Sequence, residues 1–503
     1  MWKKLALISA MTAAMASGAF ACTTVLVDQA ASADHAFYIA RSVDGHENVA
    51  QLVITHPAVA HQKGVYSAKA LNPEANDFKW PLPEKALAYR STPSFMATVK
   101  DPLLFHDGAA GFNELGVGVS GTESIYASPE ALKVDPYNEE SGISEMDITN
   151  VLLPAATSAR EGVKLLGKIV ETVGAAEGMG VAFVDEKELW YFETGSGHQW
   201  LAQRLPKDTY FASGNQGRLQ TYKPNDPDYL ASPNLVSFAK EHGLYREQDG
   251  DFNFSKAYTR NDERDRTYND PRVWQIQKSF TPSVTQVIDQ GRTFPVFQKA
   301  DKALSLDDIK AIMRNHYQGT EFDPYTNGLK PDSKNRPISV FRAYQVHILQ
   351  VRPELPKAIG EVHYLAMGMS DLSVFLPFYQ GVSTVPEAFT TGTDQASDNS
   401  AYWKMRKLQG IVMTNYPKLA PIVHKGYADF EKAVKQEQEK VEAQYLKMVK
   451  HQPMAAQKLL SDFNAKVLND ATALTDRLTN DVMTVQTQAM LDYIPFNNRK
   501  KHD

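Results

Sequence analysis

The chain has 503 residues, of which 43% are hydrophobic and 22% are charged, and its formal net charge is −6. This composition suits a globular protein with a large core, and the length allows two to four domains of roughly 100–200 residues or one large domain with an appendage. A mildly acidic chain has no electrostatic basis for holding nucleic acid or an anionic membrane, so we expect neither partner. Cys22 is the only cysteine, which excludes a disulfide within the chain.

The N-terminal segment has the pattern of a secretory signal peptide. Lys3 and Lys4 precede the apolar run Leu5–Ala16, and the small-residue pattern Ala-Phe-Ala ends at Ala21. The apolar run is too short to span a bilayer, which takes about 20 residues. We therefore predict cleavage between Ala21 and Cys22 and a periplasmic or secreted mature protein with no membrane anchor.

Cys22 would then begin the mature chain, and three interpretations are open. It could carry the lipid of an anchored binding or scaffold protein, although Ala19 and bulky Phe20 depart from the usual lipidation signal. It could be unpaired by chance. It could also be a nucleophile, because an α-amine with a pKa of about 7.7–8.0 can accept the proton of a thiol with a pKa of about 8.5. We prefer the third interpretation, since the lone thiol lies at the predicted cleavage point.

Two strands predicted next to each other place polar partners near Cys22. Residues 22–27 are β-branched and apolar, and residues 36–41 follow after a polar turn. An antiparallel pair of this length would bring Arg41 and Asp44 back beside Cys22. An arginine there favours the thiolate, and an aspartate can orient the ammonium form of the α-amine.

The remaining predicted elements fall into groups of strands and groups of helices. Helices are predicted at 148–173, 232–242, 270–279 and 305–316, and further strands at 49–55, 116–122, 180–184, 188–194, 209–213, 343–351 and 359–367. Such grouping indicates an α+β layered fold. No H-E-x-x-H motif, P-loop or G-x-S-x-G motif occurs, so we expect no metal and no cofactor.

The C-terminal part differs in character from the rest of the chain. From Ala401 onward it is rich in Ala, Lys, Glu, Gln and Leu, with apolar residues at helical spacing and a break at Pro453. We predict three regions: a signal peptide at 1–21, a catalytic domain at 22–400 and a helical region at 401–503. The helical region is expected to pack on the catalytic domain, and a homo-oligomer interface is the alternative.

The opening of the predicted mature chain resembles a known family. Cys22-Thr-Thr-Val-Leu-Val27, followed by Ala40-Arg-Ser-Val-Asp44, is similar to the start of the cysteine dipeptidases of the N-terminal-nucleophile hydrolase superfamily, relatives of penicillin V acylases and bile salt hydrolases. Later segments are also similar to this family, namely 111–123, 188–200, Phe211–Asn215, Asn269–Trp274 and Ser373–Tyr379. The similarity runs from Cys22 to about Leu419.

The resemblance implies a fold and a role for each site residue. The fold would be a four-layer αββα sandwich. Cys22 would attack the scissile carbonyl, Arg41 and Asp44 would tune and orient it, and Asn215 would donate to the oxyanion. Arg272 would complete the polar network. Glu123 lies where the family has a substrate-side or oxyanion residue. Because an ionised carboxylate cannot donate to an oxyanion, we expect Glu123 to anchor the α-ammonium of the substrate.

These expectations combine into one preferred function and two alternatives. The preferred function is an exported cysteine dipeptidase that hydrolyses dipeptides or short peptides through a thioester on Cys22, with the α-amine of Cys22 as general base. The first alternative is an amide acylase that uses the same site on non-peptide N-acyl substrates. The second is a lipid-anchored binding protein acylated at Cys22.

Overall fold

The structure is a computed structural model that describes residues 22–98, 108–288, 290–325 and 334–492; the side chains of Thr122, Glu123 and Arg292 are outside that description. The predicted signal peptide lies outside the described residues. The strands, in chain order, are β1 Thr23–Val27, β2 Phe37–Asp44, β3 Ile54–His56, β4 Val65–Ser67, β5 Lys79–Pro81, β6 Tyr89–Pro93, β7 Gly108–Asn113, β8 Gly118–Ser124, β9 Met179–Val184, β10 Leu189–Thr194, β11 Trp200–Arg204, β12 Tyr210–Ser213, β13 Tyr229–Ala231, β14 Phe297–Gln298, β15 Ala343–Val351, β16 Glu361–Met367 and β17 Leu376–Tyr379.

Helices separate and follow these strands. They are α1 Ala68–Leu71, α2 Pro129–Val134, α3 Ile148–Leu152, α4 Ala159–Val173, α5 Leu235–Glu241, α6 Phe254–Tyr258, α7 Asp265–Tyr268, α8 Asp270–Phe280, α9 Leu306–Met313, α10 Lys357–Gly360, α11 Glu387–Thr390, α12 Ala401–Met413, α13 Tyr416–Met448 and α14 Pro453–Asp492. Within the described ranges, none of them combines the length and apolar character needed to cross a bilayer.

Two large antiparallel sheets form the centre of the fold. One has seven strands in the order β14-β12-β1-β2-β15-β16-β17, and the other has eight in the order β13-β11-β10-β9-β8-β7-β6-β3. Strand β1 lies inside the first sheet, and all five of its residues, Thr-Thr-Val-Leu-Val, are buried. A strand that is covered on both faces reads as a continuous β-branched and apolar run, which explains this sequence.

Three apolar clusters show the order of the layers. The cluster between the sheets contains residues from both of them, such as Leu26 and Ile39 from one and Phe112 and Ala182 from the other. A second cluster joins the outer face of the eight-stranded sheet to α3 and α4. A third joins the outer face of the seven-stranded sheet to α8, α9, α12, α13 and α14. The fold is therefore a four-layer αββα sandwich of the α+β class, which confirms the prediction.

The C-terminal helices belong to the outer helix layer on the seven-stranded sheet. Asn464 of α14 donates from Nδ2 to the carbonyl oxygen of Pro377 at 2.6 Å. Arg352, directly after β15, pairs with Glu442 of α13 at 2.8 Å. These helices share one core with the sheet, and the domain boundary between residues 400 and 401 stays a prediction.

Two predicted elements were wrong in their extent. The strand predicted at 49–55 is a strand only at β3. The backbone N–H groups of Ala50, Leu52 and Val53 donate to three separate segments, namely the loop after α11, the end of β6 and α11 itself. The single helix predicted at 148–173 is two helices, α3 and α4. Pro154 interrupts it, since proline disfavours helix at the residue before it, and Ser158 caps the second helix.

Candidate active site

Cys22 directly precedes β1. It lies at the end of the seven-stranded sheet where β1 begins. Strand β1 is antiparallel to both neighbours, and Thr24 faces Ser213 of β12 on one side and Arg41 of β2 on the other. The start of β1 therefore lies beside the ends of β2 and β12. Cys22 itself is 1% exposed.

The Arg41 guanidinium contacts Cys22 from the space between the two sheets. Its Nη1 donates to the Cys22 sulfur at 3.4 Å, and its Nη2 donates to the carbonyl oxygens of Ala109 at 2.8 Å and Gly121 at 2.6 Å. A positive charge this close to a thiol favours the thiolate. The sequence places Arg41 beside Cys22, and the structure has it there.

Ser120 and His347 extend this contact, and the sequence analysis missed both. Arg41 donates from Nε to Ser120 Oγ at 3.0 Å, and Ser120 Oγ shares a hydrogen bond of 2.8 Å with His347 Nε2. His347 faces Arg41 directly across β15 and β2. Burial, together with the positive charge of Arg41 and the nearby His363, holds the pKa of His347 well below its usual value. The imidazole is therefore neutral and does not repel the guanidinium.

Arg272 approaches Cys22 from the helix layer, where it extends from α8. Its Nη1 donates to the carbonyl oxygen of Cys22 and to Thr23 Oγ1, the latter at 2.9 Å. Its Nη2 donates to Asn215 Oδ1 at 2.8 Å and Asn269 Oδ1 at 2.6 Å. Arg272 thus ties the backbone of Cys22 to the predicted oxyanion residue.

Asn215 follows β12 in a buried loop that is held at several points. Its backbone N–H donates to Asn269 Oδ1 at 3.0 Å, and its side-chain Nδ2 donates to the carbonyl oxygen of Ser124 at 3.1 Å. Arg272 occupies the Oδ1 side, so the amide is oriented with its N–H groups pointing away from the guanidinium. This orientation suits a hydrogen-bond donor in the site.

A buried carboxyl group supports the same loop a few residues further on. Glu193 of β10 accepts hydrogen bonds from the backbone N–H groups of Arg218 at 2.7 Å and Leu219 at 3.1 Å. Burial raises the pKa of Glu193 to about 7, against the opposing effect of these donors. In the sequence Glu193 is marked only as part of the 188–200 segment, without a role of its own.

Asp44 lies fully buried at the end of β2, where it is ion-paired with Arg336. Burial raises the pKa of the Asp44 carboxyl, while Arg336, Arg342 and Arg272 oppose that rise. Its second oxygen, Oδ1, has no hydrogen-bond partner among the described residues. Arg336 lies in an irregular segment between α9 and β15, where no periodic pattern in the sequence predicts a buried position.

Glu123 is the one predicted site residue whose side chain the structure does not describe. Its backbone belongs to β8 and faces Gly180 of β9. Its role as an anchor for the substrate ammonium stays a prediction. No group of three or more His, Cys, Asp or Glu residues suited to a metal ion occurs in the part of the chain that the structure describes.

A four-layer αββα sandwich with a thiol at the start of a central strand is the arrangement of the N-terminal-nucleophile hydrolases. Within that class, the chain belongs to Peptidase family C69, which it matches over residues 21–428. The protein is therefore a peptidase.

Similar proteins carry dipeptidase names. The chain is 53% identical over 363 residues to a probable dipeptidase of Salmonella dublin. The matched region covers 72% of this chain and 81% of the relative. It is 33% identical over 405 residues to dipeptidase A of Lactobacillus helveticus, covering 78% and 82% of the two chains. A crystal structure of a variant of conjugated bile acid hydrolase from Clostridium perfringens matches with 12% identity and a TM-score of 0.29, covering 69% of this chain and 89% of that chain.

Proposed function

We propose that the protein is an exported cysteine dipeptidase that cleaves dipeptides or short peptides through a thioester on Cys22. The observation that carries the proposal is the placement of the only cysteine. It lies at one end of the seven-stranded sheet between two arginines. Arg41 donates to its sulfur, and Arg272 donates to its carbonyl oxygen. The dipeptidase names of the relatives support the substrate class.

The proposed reaction begins when the α-amine of Cys22 takes the thiol proton. The thiolate attacks the carbonyl carbon of the scissile bond, and Asn215 donates to the oxygen that becomes negative. The α-ammonium returns the proton to the leaving amine, so one amino acid departs and the other remains as a thioester. A water molecule, deprotonated by the same α-amine, then hydrolyses the thioester and restores the thiol.

The surroundings of Asp44 support a role for a free α-amine. Asp44 Oδ1 is buried without a hydrogen-bond partner among the described residues, close to the charges of Arg272 and Arg342. A buried carboxylate oxygen of this kind is costly unless it gains a donor. The α-ammonium of Cys22 forms when the α-amine takes the thiol proton. It is such a donor at the same end of the sheet.

Burial of Cys22 favours the hydrolase over the lipid-anchored alternative. A lipidated N-terminal cysteine must reach the membrane surface, whereas Cys22 is 1% exposed and lies under Arg41 and Arg272. The family match begins at residue 21, so it leaves out nearly all of the predicted signal peptide. Export and cleavage after Ala21 remain part of the proposal.

The test compares the exported wild type with Cys22→Ala on dipeptides, tripeptides and N-acyl amides. We expect the wild type to prefer dipeptides and Cys22→Ala to lose at least about a thousandfold in kcat/KM while it keeps its circular dichroism spectrum. Cys22→Ser, which replaces the thiol with a hydroxyl of similar size, is the matched control for folding. Full activity in Cys22→Ala would refute the mechanism, and turnover of N-acyl amides alone would replace the dipeptidase with an acylase.

A further inference from the structure

Arg342 lies at the same end of the seven-stranded sheet as Cys22, but it has no part in the proposed reaction. It directly precedes β15, and the N–H of Gly45 donates to its carbonyl oxygen at 3.1 Å. Strand β15 is antiparallel to β2, so its start lies at the end of β2 and hence beside the start of β1. The Arg342 guanidinium is close enough to Cys22 and Asp44 for their charges to raise its pKa.

Two neighbours hold the Arg342 guanidinium in place. Its Nη2 donates to the hydroxyl oxygen of Tyr268 at 2.6 Å, and its Nη1 donates to His46 Nε2 at 3.0 Å. These bonds use two of the five N–H groups of a guanidinium. The planar donor group is thus oriented, with N–H groups remaining for another acceptor.

Arg342 differs from Arg314 and Arg352, two other partly buried arginines, in having no carboxylate in direct contact among the described residues. Arg314 pairs with Glu431 at 2.6 Å, and Arg352 pairs with Glu442 at 2.8 Å. No carboxylate of the described residues lies within 4.0 Å of the Arg342 guanidinium. Asp44 acts on this guanidinium only from beyond contact distance. An oriented arginine with no carboxylate in direct contact is suited to bind a substrate anion.

The chemistry of a dipeptide defines which anion this is. In a dipeptide the free α-carboxylate follows the scissile carbonyl by one residue, which spans about 3.5 Å of chain. A carboxylate pairs with a guanidinium through two parallel hydrogen bonds. In a tripeptide cut at the first bond, the carboxylate lies about another 3.5 Å further along the chain.

We propose that Arg342, held by Tyr268 and His46, binds the α-carboxylate of the C-terminal residue of the substrate. This inference rests on the proposed function and adds a substrate class to it. In this proposal Arg342 receives the carboxylate that lies one residue beyond the scissile bond, so the enzyme prefers dipeptides with a free carboxylate. Arg342 is a specificity residue, whereas Arg41 and Arg272 act on Cys22 itself.

The test measures kcat and KM for Ala-Ala, its C-terminal amide and Ala-Ala-Ala with wild type and Arg342→Gln. We expect the wild type to favour Ala-Ala over the amide by about tenfold to a hundredfold. In Arg342→Gln, that preference should disappear through a higher KM for Ala-Ala, with little change for the amide. Arg342→Lys keeps the charge without the planar donor group and should retain part of the preference.

Two further variants keep the test decisive. Arg406→Gln is the matched control, because Arg406 stacks on the ring of Phe341, the residue before Arg342, and donates to the Phe341 carbonyl oxygen. It should leave the preference for Ala-Ala unchanged. Tyr268→Phe removes one hydroxyl that orients Arg342 and should raise KM for Ala-Ala alone by a smaller factor, which covers the case in which Arg342→Gln fails to fold.

The outcomes separate this inference from the proposed function. An equal loss on Ala-Ala and its amide in Arg342→Gln, or a wild type indifferent to the carboxylate, would overturn the inference and leave the dipeptidase intact. A wild type with a verified N-terminal Cys22 that cleaves none of the three substrates would overturn both.

Discussion

Cys22 has two different sides, and the contrast between them separates two tasks. On the side between the sheets, Arg41 contacts the sulfur and is backed by Ser120 and a neutral His347. On the helix side, Arg272 contacts the carbonyl oxygen of Cys22 and the side chain of Asn215. The first side acts on the charge of the thiol. The second fixes the backbone and the donor amide.

This contrast predicts two kinds of defect. Changes between the sheets should alter the pH dependence of the reaction, because they alter the stability of the thiolate. Changes on the helix side should lower kcat while the pH profile keeps its shape. The predictions below are ordered from the largest expected effect to the smallest.

Asn215→Ala tests the helix side. Loss of one oxyanion donor costs about 2.7–4 kcal/mol in acyl-transfer enzymes, which corresponds to roughly a hundredfold to a thousandfold in kcat. We expect that loss at every pH, with both limbs of the pH–rate profile unmoved. Steady-state kinetics between pH 5 and 9 measure it, and a displaced limb would show that Asn215 also acts on the thiol.

Arg41→Gln tests the side between the sheets. An opposite charge beside an acid lowers its pKa by about 1–3 units, so removing the charge should reduce the thiolate by roughly tenfold to a hundredfold or more near neutral pH. The loss should shrink as pH rises. Alkylation of Cys22 by iodoacetamide at several pH values reports the thiolate directly, and an unchanged alkylation profile would contradict this role.

His347→Phe tests the support behind Arg41. The variant removes the partner of Ser120 and should lower kcat/KM by about threefold to tenfold, with a small alkaline shift of the rate profile. His363→Phe is a matched control. His363 is also buried, burial lowers its pKa to about 3, and it packs edge-on against His347 without contacting Ser120. Equal effects of the two substitutions on the profile would mean that packing, rather than the hydrogen bond, matters.

Glu193→Gln should change stability more than activity. The pKa of Glu193 is raised to about 7 by burial, so the neutral form is favoured in the folded state. Its stabilising contribution is present below the unfolded pKa of about 4.3 and is lost as pH rises through about 7. Wild type should therefore lose a few kcal/mol relative to Glu193→Gln between pH 5 and 8. Urea unfolding at several pH values measures this, and parallel curves would refute it.

Local sequence patterns predict part of the fold well. The late strand predicted at 343–351 has the same bounds as β15, because its apolar and β-branched run is buried along its whole length. Arg41 was predicted beside Cys22 because a short antiparallel pair fixes which residues face each other. Asn215 and Arg272 could be named only through the family resemblance, since distant packing brings them to Cys22.

Other contacts could not be predicted from local sequence patterns. Ser120 and His347 lie in strands that carry other polar residues as well, and only their orientation in the folded sheets distinguishes them. Arg336 and Arg342 lie in or next to an irregular segment, where no periodicity marks a position as buried. Their ion pair and hydrogen bonds depend on how that segment packs against β2 and α7.

The most direct test of the account concerns the amino group of Cys22. The protein is prepared with a short extension before Cys22 that a specific protease can remove, and intact mass confirms each form. We predict that the extended form is inactive on dipeptides and that trimming to Cys22 restores full activity, because only a free amine is a base. Full activity of the verified extended form, or a native mature chain that begins at another residue, would contradict the account.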